Sequence, residues 1–380
     1  MMKVRSGKST EVDSHKAIEE ASSSWPNESP DFIFVFHSTV QNAEQVAKDI
    51  QEKFPGAMVA GCTTSGEHLN GEHLRGSLVM TGIWSQDIRW QVTVLENLDQ
   101  LTEQRAREAA DQVIAGLGLT REQLSPEQQF CITFIDGLSL KEEMTSAYLA
   151  GALDGIPLLG GSAGDDLKFE KTMVIANGRA YQKSAVLVMA DSKIGFHVIK
   201  HQHFKKTPSQ LVVTKVDSPQ RRVYELDGMV ARDAYAQALN LSPEEVTPEI
   251  CFVNPLLFRV NHEFYVRSIQ RIEDDGSIIF YCGVEEGMVL EVGGQEVIEN
   301  ALEKDLDVLK TKINGQAEFF LACNCILRAL EAEKDQKHQA LGKIFTGIGK
   351  NVIGFDTYGE QLNGLHINQT LVGLVLGRAA

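Results

Sequence analysis

Thirteen residues in the first quarter of this 380-residue chain return near its other end. Val59 to Gly71 reads VAGCTTSGEHLNG and Val352 to Gly364 reads VIGFDTYGEQLNG, identical at eight of thirteen positions. Such self-similarity means that one structural unit was built more than once and that its glycine-rich corner was kept. Any fold assigned to the chain has to contain that unit repeatedly.

The residues around each corner show what the unit is. Phe32 to Phe36 is a continuous apolar run of strand length, the pattern of a strand buried on both faces. Asn42 opens a helix with Ala43, Val46, Ala47 and Ile50 at helical spacing, ended by Pro55-Gly56. A strand from Ala57 to Ala60 enters the corner, and Gly76–Trp84 and Arg89–Leu95 are expected to form a hairpin. The order recurs with a strand at Phe130–Ile135, a helix at Lys141–Leu153, a strand at Pro157–Leu159, the turn GGSAGDD, and a hairpin from Ala185–Ala190 and Ile194–Ile199. A third copy has a strand at Phe319–Cys323, a long helix from Cys325, Val352-Ile353 leading into the second corner, and a closing strand at Gln369–Leu376. An opening helix at Ser14–Ala21 and a connecting helix at Gln104–Leu117 complete the regular part. Between Leu211 and Ile313 the pattern is looser, with helices at Val230–Leu239 and Val297–Ile313 and strands near Ile250, Phe264 and Ile278.

These elements predict an α/β (mixed α+β) fold of duplicated strand-helix-strand units, forming mixed sheets with packed helices in two domains. The divisions expected are a lead-in at 1–28, a first domain at 29–222 with internal duplication (29–97 and 128–200), and a second domain at 223–380. In such sheets ligands bind beyond the carboxyl ends of the strands. The polar residues there are His37-Ser38, Asp136-Gly137 and Asn324, each ahead of a helix N-terminus that favours anionic or acceptor groups.

Bulk properties exclude several classes. A formal net charge of −16 argues against nucleic acid or an anionic membrane as the main partner. Six dispersed cysteines suit reduced, buried thiols rather than a disulfide framework. The N-terminus lacks the apolar core of a signal peptide, and no apolar run approaches the ~20 residues needed to span a bilayer. A cytoplasmic protein without membrane insertion is the expectation.

Short motifs need weighing against structural readings. Gly160-Gly161-Ser162-Ala163-Gly164 matches the G-x-S-x-G nucleophile elbow, which would imply a hydrolase. Thr63 and Asp356 stand at the place of Ser162 in the other corners, so the shared property is a glycine turn. Glu67 and Glu360 either cap backbone groups or face a ligand. Cys325 and Arg328, three apart on a helix, are either a thiol activated by a guanidinium or a buried pair. There is no C-x-x-C-H, Walker or dinucleotide fingerprint, which leaves only non-covalent haem among haem types. Of ten histidines, His37 and His366 flank the ends of the repeated unit.

The ordered motifs GCTTSGE, LLGGSAGDD, VYELDGMVARDAY, NPLLFRV, FYVRSI, CILRALEAE and GFDTYGEQLNGLHINQT resemble the FIST family, with an N-terminal and a C-terminal FIST domain. The resemblance covers some 350 residues and implies a sensory protein of bacterial signal transduction that is not an enzyme. Proposed ligands in that family are small molecules such as amino acids. Some stand-alone members resemble nitric-oxide-sensing haem proteins that regulate a separate histidine kinase or cyclic-di-GMP enzyme. On that resemblance His366, then His37, is the candidate axial imidazole of a non-covalent haem b. Arg267, Arg328 and Asn368 are candidates for its propionates, or equally for the carboxylate of an amino acid. Cys325, Glu360 and Thr370 complete the expected ligand-binding set.

Overall fold

The computed structural model describes residues 2–313 and 316–377. By their packing these fall into two compact units, one of residues 1–200, 303–365 and 371–380, the other of residues 201–302 and 366–370. These compact units cut across the expected divisions at 29–222 and 223–380, because residues 303–365 pack with residues 1–200. The third copy of the repeat packs with the first two, because its doubly buried strands need the same kind of aromatic core.

The first unit holds three six-stranded sheets of one design. In each, two parallel strands of a copy lie side by side: Phe32–His37 with Met58–Thr63, Gln129–Ile135 with Leu158–Ser162, and Ala317–Cys325 with Gly349–Thr357. An antiparallel strand closes one flank of each pair, namely Leu78–Trp84, Ala185–Ser192 and Leu371–Leu376. The other flank is covered by a strand from a different copy. Glu67–Leu69 of the first copy adds to Gly349–Thr357, Glu360–Leu362 of the third adds to Leu158–Ser162, and Val174–Ala176 of the second adds to Met58–Thr63. The exchange is cyclic, so no copy has a complete sheet of its own.

Both hairpins expected from the sequence are corrected. Leu78–Trp84 lies between Lys3–Ser9 and Phe32–His37, whereas Ile88–Leu95 crosses to the second sheet and pairs with Ala185–Ser192. Phe196–His201 is placed at the edge of the third sheet. Strands apolar on both faces fit either sheet, and a short turn fixes only where the next strand begins. The helix expected from Cys325 is two helices, Ile326–Lys334 and His338–Ile348, parted at Gln336 with φ 56°. The strand expected near Ile250 is the helix Pro248–Val253, whose N-cap Thr247 accepts from the Ile250 amide.

Helices shield the outer faces of the sheets. Ser14–Ala21 and Ala43–Lys53 bury Ile18, Val46 and Ile50 against Val35 and Val59. Glu103–Gly116 and Glu142–Ala152 bury Val113 and Leu149 against Cys131 and Leu187. The inner faces meet through aromatic rings. Phe34 stacks on Phe319 at 5.7 Å and meets Phe134 edge-on at 6.5 Å, and Phe36 stacks on Phe355 at 4.5 Å. One residue thus touches rings from all three copies.

The second unit is built on antiparallel strands in the order Glu263–Arg267, Leu256–Val260, Val289–Gln295, Phe204–Asp217, Arg222–Leu226, Ile278–Phe280 and Ile269–Ile272, with Met229–Val230 beside Arg222–Leu226. Helix Ala231–Ala238 buries Ala234 and Tyr235 against Leu226, Leu256, Phe280 and Leu290. Among the described residues no helix is long and apolar enough to cross a membrane.

Candidate functional site

The three copies place three residues at one quasi-equivalent position, the last residue or last but one of the second parallel strand: Thr63, Ser162 and Asp356. Their parallel neighbours are His37, Ile135 and Asn324. The strand donated by another copy brings Ile175, Gln361 and His68 alongside, each opposite the glycine two residues earlier. Chemistry at the three positions diverges. Ile175 is apolar, and Thr63 Oγ1 accepts from the Met173 amide at 3.0 Å. Gln361 Nε2 donates to Ser162 Oγ at 2.8 Å. At the third position a carboxylate meets two imidazoles.

Asp356 is fully buried and collects three donors. His68 Nε2 donates to Oδ1 at 2.8 Å, His73 Nε2 to Oδ2 at 2.7 Å, and Asn324 Nδ2 to Oδ1 at 2.9 Å. Both histidines come from the first copy's hairpin, Glu67–Leu69 and Glu72–Leu74. Alternation of side chains along a strand would send His68 and its neighbours to opposite faces, and the hairpin register sets His68 directly opposite His73. Behind Asn324, Arg328 Nε donates to Oδ1 at 3.1 Å and orients the amide.

The charges explain the titration behaviour. Burial opposes ionisation of Asp356, but the His68 and His73 charges and hydrogen bonds outweigh it and hold the carboxyl well below its usual range. Burial also opposes a charged His73, yet the Asp356 charge and hydrogen bond raise its pKa. Against His73 lies the ring of His338, parallel at 3.8 Å between centroids and 4° between planes. Burial, reinforced by the His73 charge, pushes His338 down to about 4, so it is neutral near pH 7. Its Nε2 is buried and has no hydrogen-bond partner. His68, His73, His338, Asn324, Gly71, Gly342 and Phe345 line one small cavity of about 10 Å³, space for about one water molecule.

The corner glycine is needed here for space. Gly66 has φ 152°, and a Cβ on it would sit 2.3 Å from Asp356 Oδ2 and 3.0 Å from His73 Nε2. Gly66→Ala is expected to destabilise the chain by about 1–3 kcal/mol in urea denaturation. Gly151→Ala, in helix Glu142–Ala152 with nothing within 4 Å of the added atom, is expected to be neutral or gain up to about 1 kcal/mol.

The residues singled out from the sequence fall into two groups. Cys325, Arg328, Glu360 and His37 belong to the first unit, and Arg267, His366, Asn368 and Thr370 to the second. Arg328 is fully buried and supports the cluster through Asn324. Cys325 is buried at the start of helix Ile326–Lys334. Glu360 accepts from Thr357, as Glu67 does from Thr64, so both corner glutamates take the hydroxyl three residues earlier. His37 Nδ1 donates to the Ser38 carbonyl at 2.7 Å, which leaves Nε2 as a buried acceptor without a partner. Burial pushes His37 down to about 4. In the second unit Arg267 Nη1 donates to the His366 carbonyl at 3.2 Å, and Thr370 Oγ1 to the Asn368 carbonyl at 2.6 Å. The loop Ser162–Asp166 is not followed by the helix that a nucleophile elbow requires, and the Ser162 hydroxyl accepts from Gln361.

His68, His73 and His338 were not among the expected site residues. One signal lay in the repeat itself, which continues past its thirteenth residue as LNGEH and LNGLH and so aligns His73 with His366. His338, on a separate helix, carried no comparable signal.

The FIST N domain model matches residues 31–229 and the FIST C domain model residues 231–363. An uncharacterized protein of Methanocaldococcus jannaschii is 22% identical over 364 residues, covering 87% of this chain and 70% of its own. The chain belongs to the FIST family, whose domains are sensory modules of signal transduction that take small ligands.

Proposed function

We propose that this protein registers a small ligand at the His68–His73–Asp356 cluster and passes its state to a separate partner, a histidine kinase or a cyclic-di-GMP enzyme. The observation that carries this reading is the broken symmetry of the repeat. Three quasi-equivalent positions have the same backbone, and only one is given a buried carboxylate with two imidazoles. Packing alone is served equally well by the Thr63 and Ser162 arrangements, so the charged one calls for a different explanation. The cluster also joins two copies, since its histidines and its aspartate come from opposite ends of the chain. A ligand there would bias how hairpin 67–74 sits on strand Gly349–Thr357, which is the differential contact a sensor needs.

A second reading, haem-based nitric oxide sensing, rests on His37. Its Nδ1–H is held by a backbone carbonyl and its Nε2 lone pair is free, which is the tautomer of a metal-bound imidazole. Haem iron held by one imidazole would supply an open face for a diatomic gas. The cavity at His68, His73 and His338, about 10 Å³, is far below the roughly 300–1,000 Å³ of sites for drug-sized ligands, and anything larger than a water or an ion needs hairpin 67–74 to move. It does not fit a porphyrin.

Two measurements separate the readings. Protein produced with ample iron is expected to lack a Soret band, and its melting temperature is expected to rise with the right small ligand and to lose that rise in His73→Gln. A Soret band that shifts with nitric oxide and disappears in His37→Ala would instead establish haem.

A further inference from the structure

We infer that His68, His73 and Asp356 form a binding site for a divalent first-row transition metal ion, zinc or ferrous iron. The inference rests on the cluster being the ligand site and names the ligand's chemistry.

The donor atoms are already gathered. One ligand atom from each of the three residues lies within 4.8 Å of the others, and the two Nε2–carboxylate contacts are 2.8 and 2.7 Å. Metal bonds of about 2.0–2.2 Å to nitrogen and oxygen set such donors roughly 3–3.5 Å apart, so a small outward shift of each group suffices. The ion would replace the protons that now bridge the imidazoles and the carboxylate, releasing them to solvent on binding.

Donor type narrows the ion. Two imidazoles and one carboxylate suit zinc and non-haem ferrous iron, and disfavour calcium and magnesium, which take all-oxygen sets. The supporting shell is also present. Asn324 holds the carboxylate by a 2.9 Å hydrogen bond, and Arg328 holds Asn324. Three protein ligands leave coordination positions for an outside molecule. The adjoining cavity contains an independent pointer to a bound species: His338 Nε2, buried there without a partner. A buried polar nitrogen left unmatched costs about 1–3 kcal/mol, which a metal-bound water in that cavity would relieve.

The full chain, freed of metal with a chelator, is to be titrated with zinc by calorimetry, with cobalt as a spectroscopic stand-in, and with ferrous iron under anaerobic conditions. About one equivalent is expected to bind with micromolar or tighter affinity, with proton release and cobalt bands of an oxygen- and nitrogen-ligated ion. Competition between zinc and ferrous iron identifies the resident ion. His73→Gln is expected to weaken binding at least ~100-fold, and Asn324→Ala, which removes only the support, about 10–100-fold. Both variants are checked for folding by circular dichroism, and Asn324→Ala decides if His73→Gln does not fold. Absence of stoichiometric binding by zinc, cobalt and iron overturns the inference, as does binding that neither substitution weakens. If no metal binds but an organic ligand raises the melting temperature in a His73-dependent manner, the metal is refuted while the cluster remains the sensing site.

Discussion

Asp356→Ala is expected to lower the free energy of unfolding by about 3–5 kcal/mol, the cost of breaking a buried ion pair from one side. The carboxylate is fully buried, and its removal takes the acceptor from His68 Nε2 and His73 Nε2 and leaves Asn324 Nδ2 only the Cys325 carbonyl at 3.4 Å. His73 loses the charge that raises its pKa, so it also titrates lower in the variant. The control is Ser162→Ala at the quasi-equivalent position, which removes one neutral hydrogen bond from Gln361 and is expected to cost about 0.5–1.5 kcal/mol. Urea denaturation of both variants, with equal m-values, checks the contrast. Equal costs would show that the carboxylate is an ordinary packing residue.

Phe34→Ala is expected to be of similar size, about 3–5 kcal/mol, for an apolar reason. Phe34 is fully buried and its ring meets Phe134 of the second copy and Phe319 of the third. The cavity left behind lies among rigid sheets, which limits collapse around it. Phe169→Ala, at a ring 54% exposed and stacked on Tyr358, is expected to stay within about 0.5 kcal/mol of the parent. A Phe34 variant as stable as the parent would mean that the three sheets do not share this core.

Much of the first unit was legible because its signals are local. Helix Ala43–Lys53 begins after Asn42, whose side chain accepts from the Gln45 amide, and its buried Val46, Ala47 and Ile50 are the apolar positions read from the sequence. Strands Phe32–His37 and Gln129–Ile135 are buried along their whole length, as their unbroken apolar runs imply. The partners of strands were not legible. Leu78–Trp84 and Ile88–Leu95 are adjacent in sequence and sit in different sheets, since their hydrophobic pattern suits any doubly covered position. Hairpin 67–74 was missed altogether, because its strands are three residues long and mostly polar.

The site divides in the same way. Asn324 and Arg328 were marked by their place at a strand end and on a helix face, and both support Asp356. His37 and His366 were chosen for flanking the repeat; His37 Nδ1 is held by the Ser38 carbonyl, and His366 belongs to the second unit. By itself the sequence determined that a strand-helix-strand unit occurs three times, that its corners carry glycine, and where the capped helices such as Ala43–Lys53 start, because backbone conformation and side-chain period act over a few residues. Tertiary structure decided which copy lends its hairpin to which sheet. That cyclic exchange sets His68 and His73 against an aspartate 288 and 283 residues away, a pairing fixed by strand register between copies rather than by any local preference.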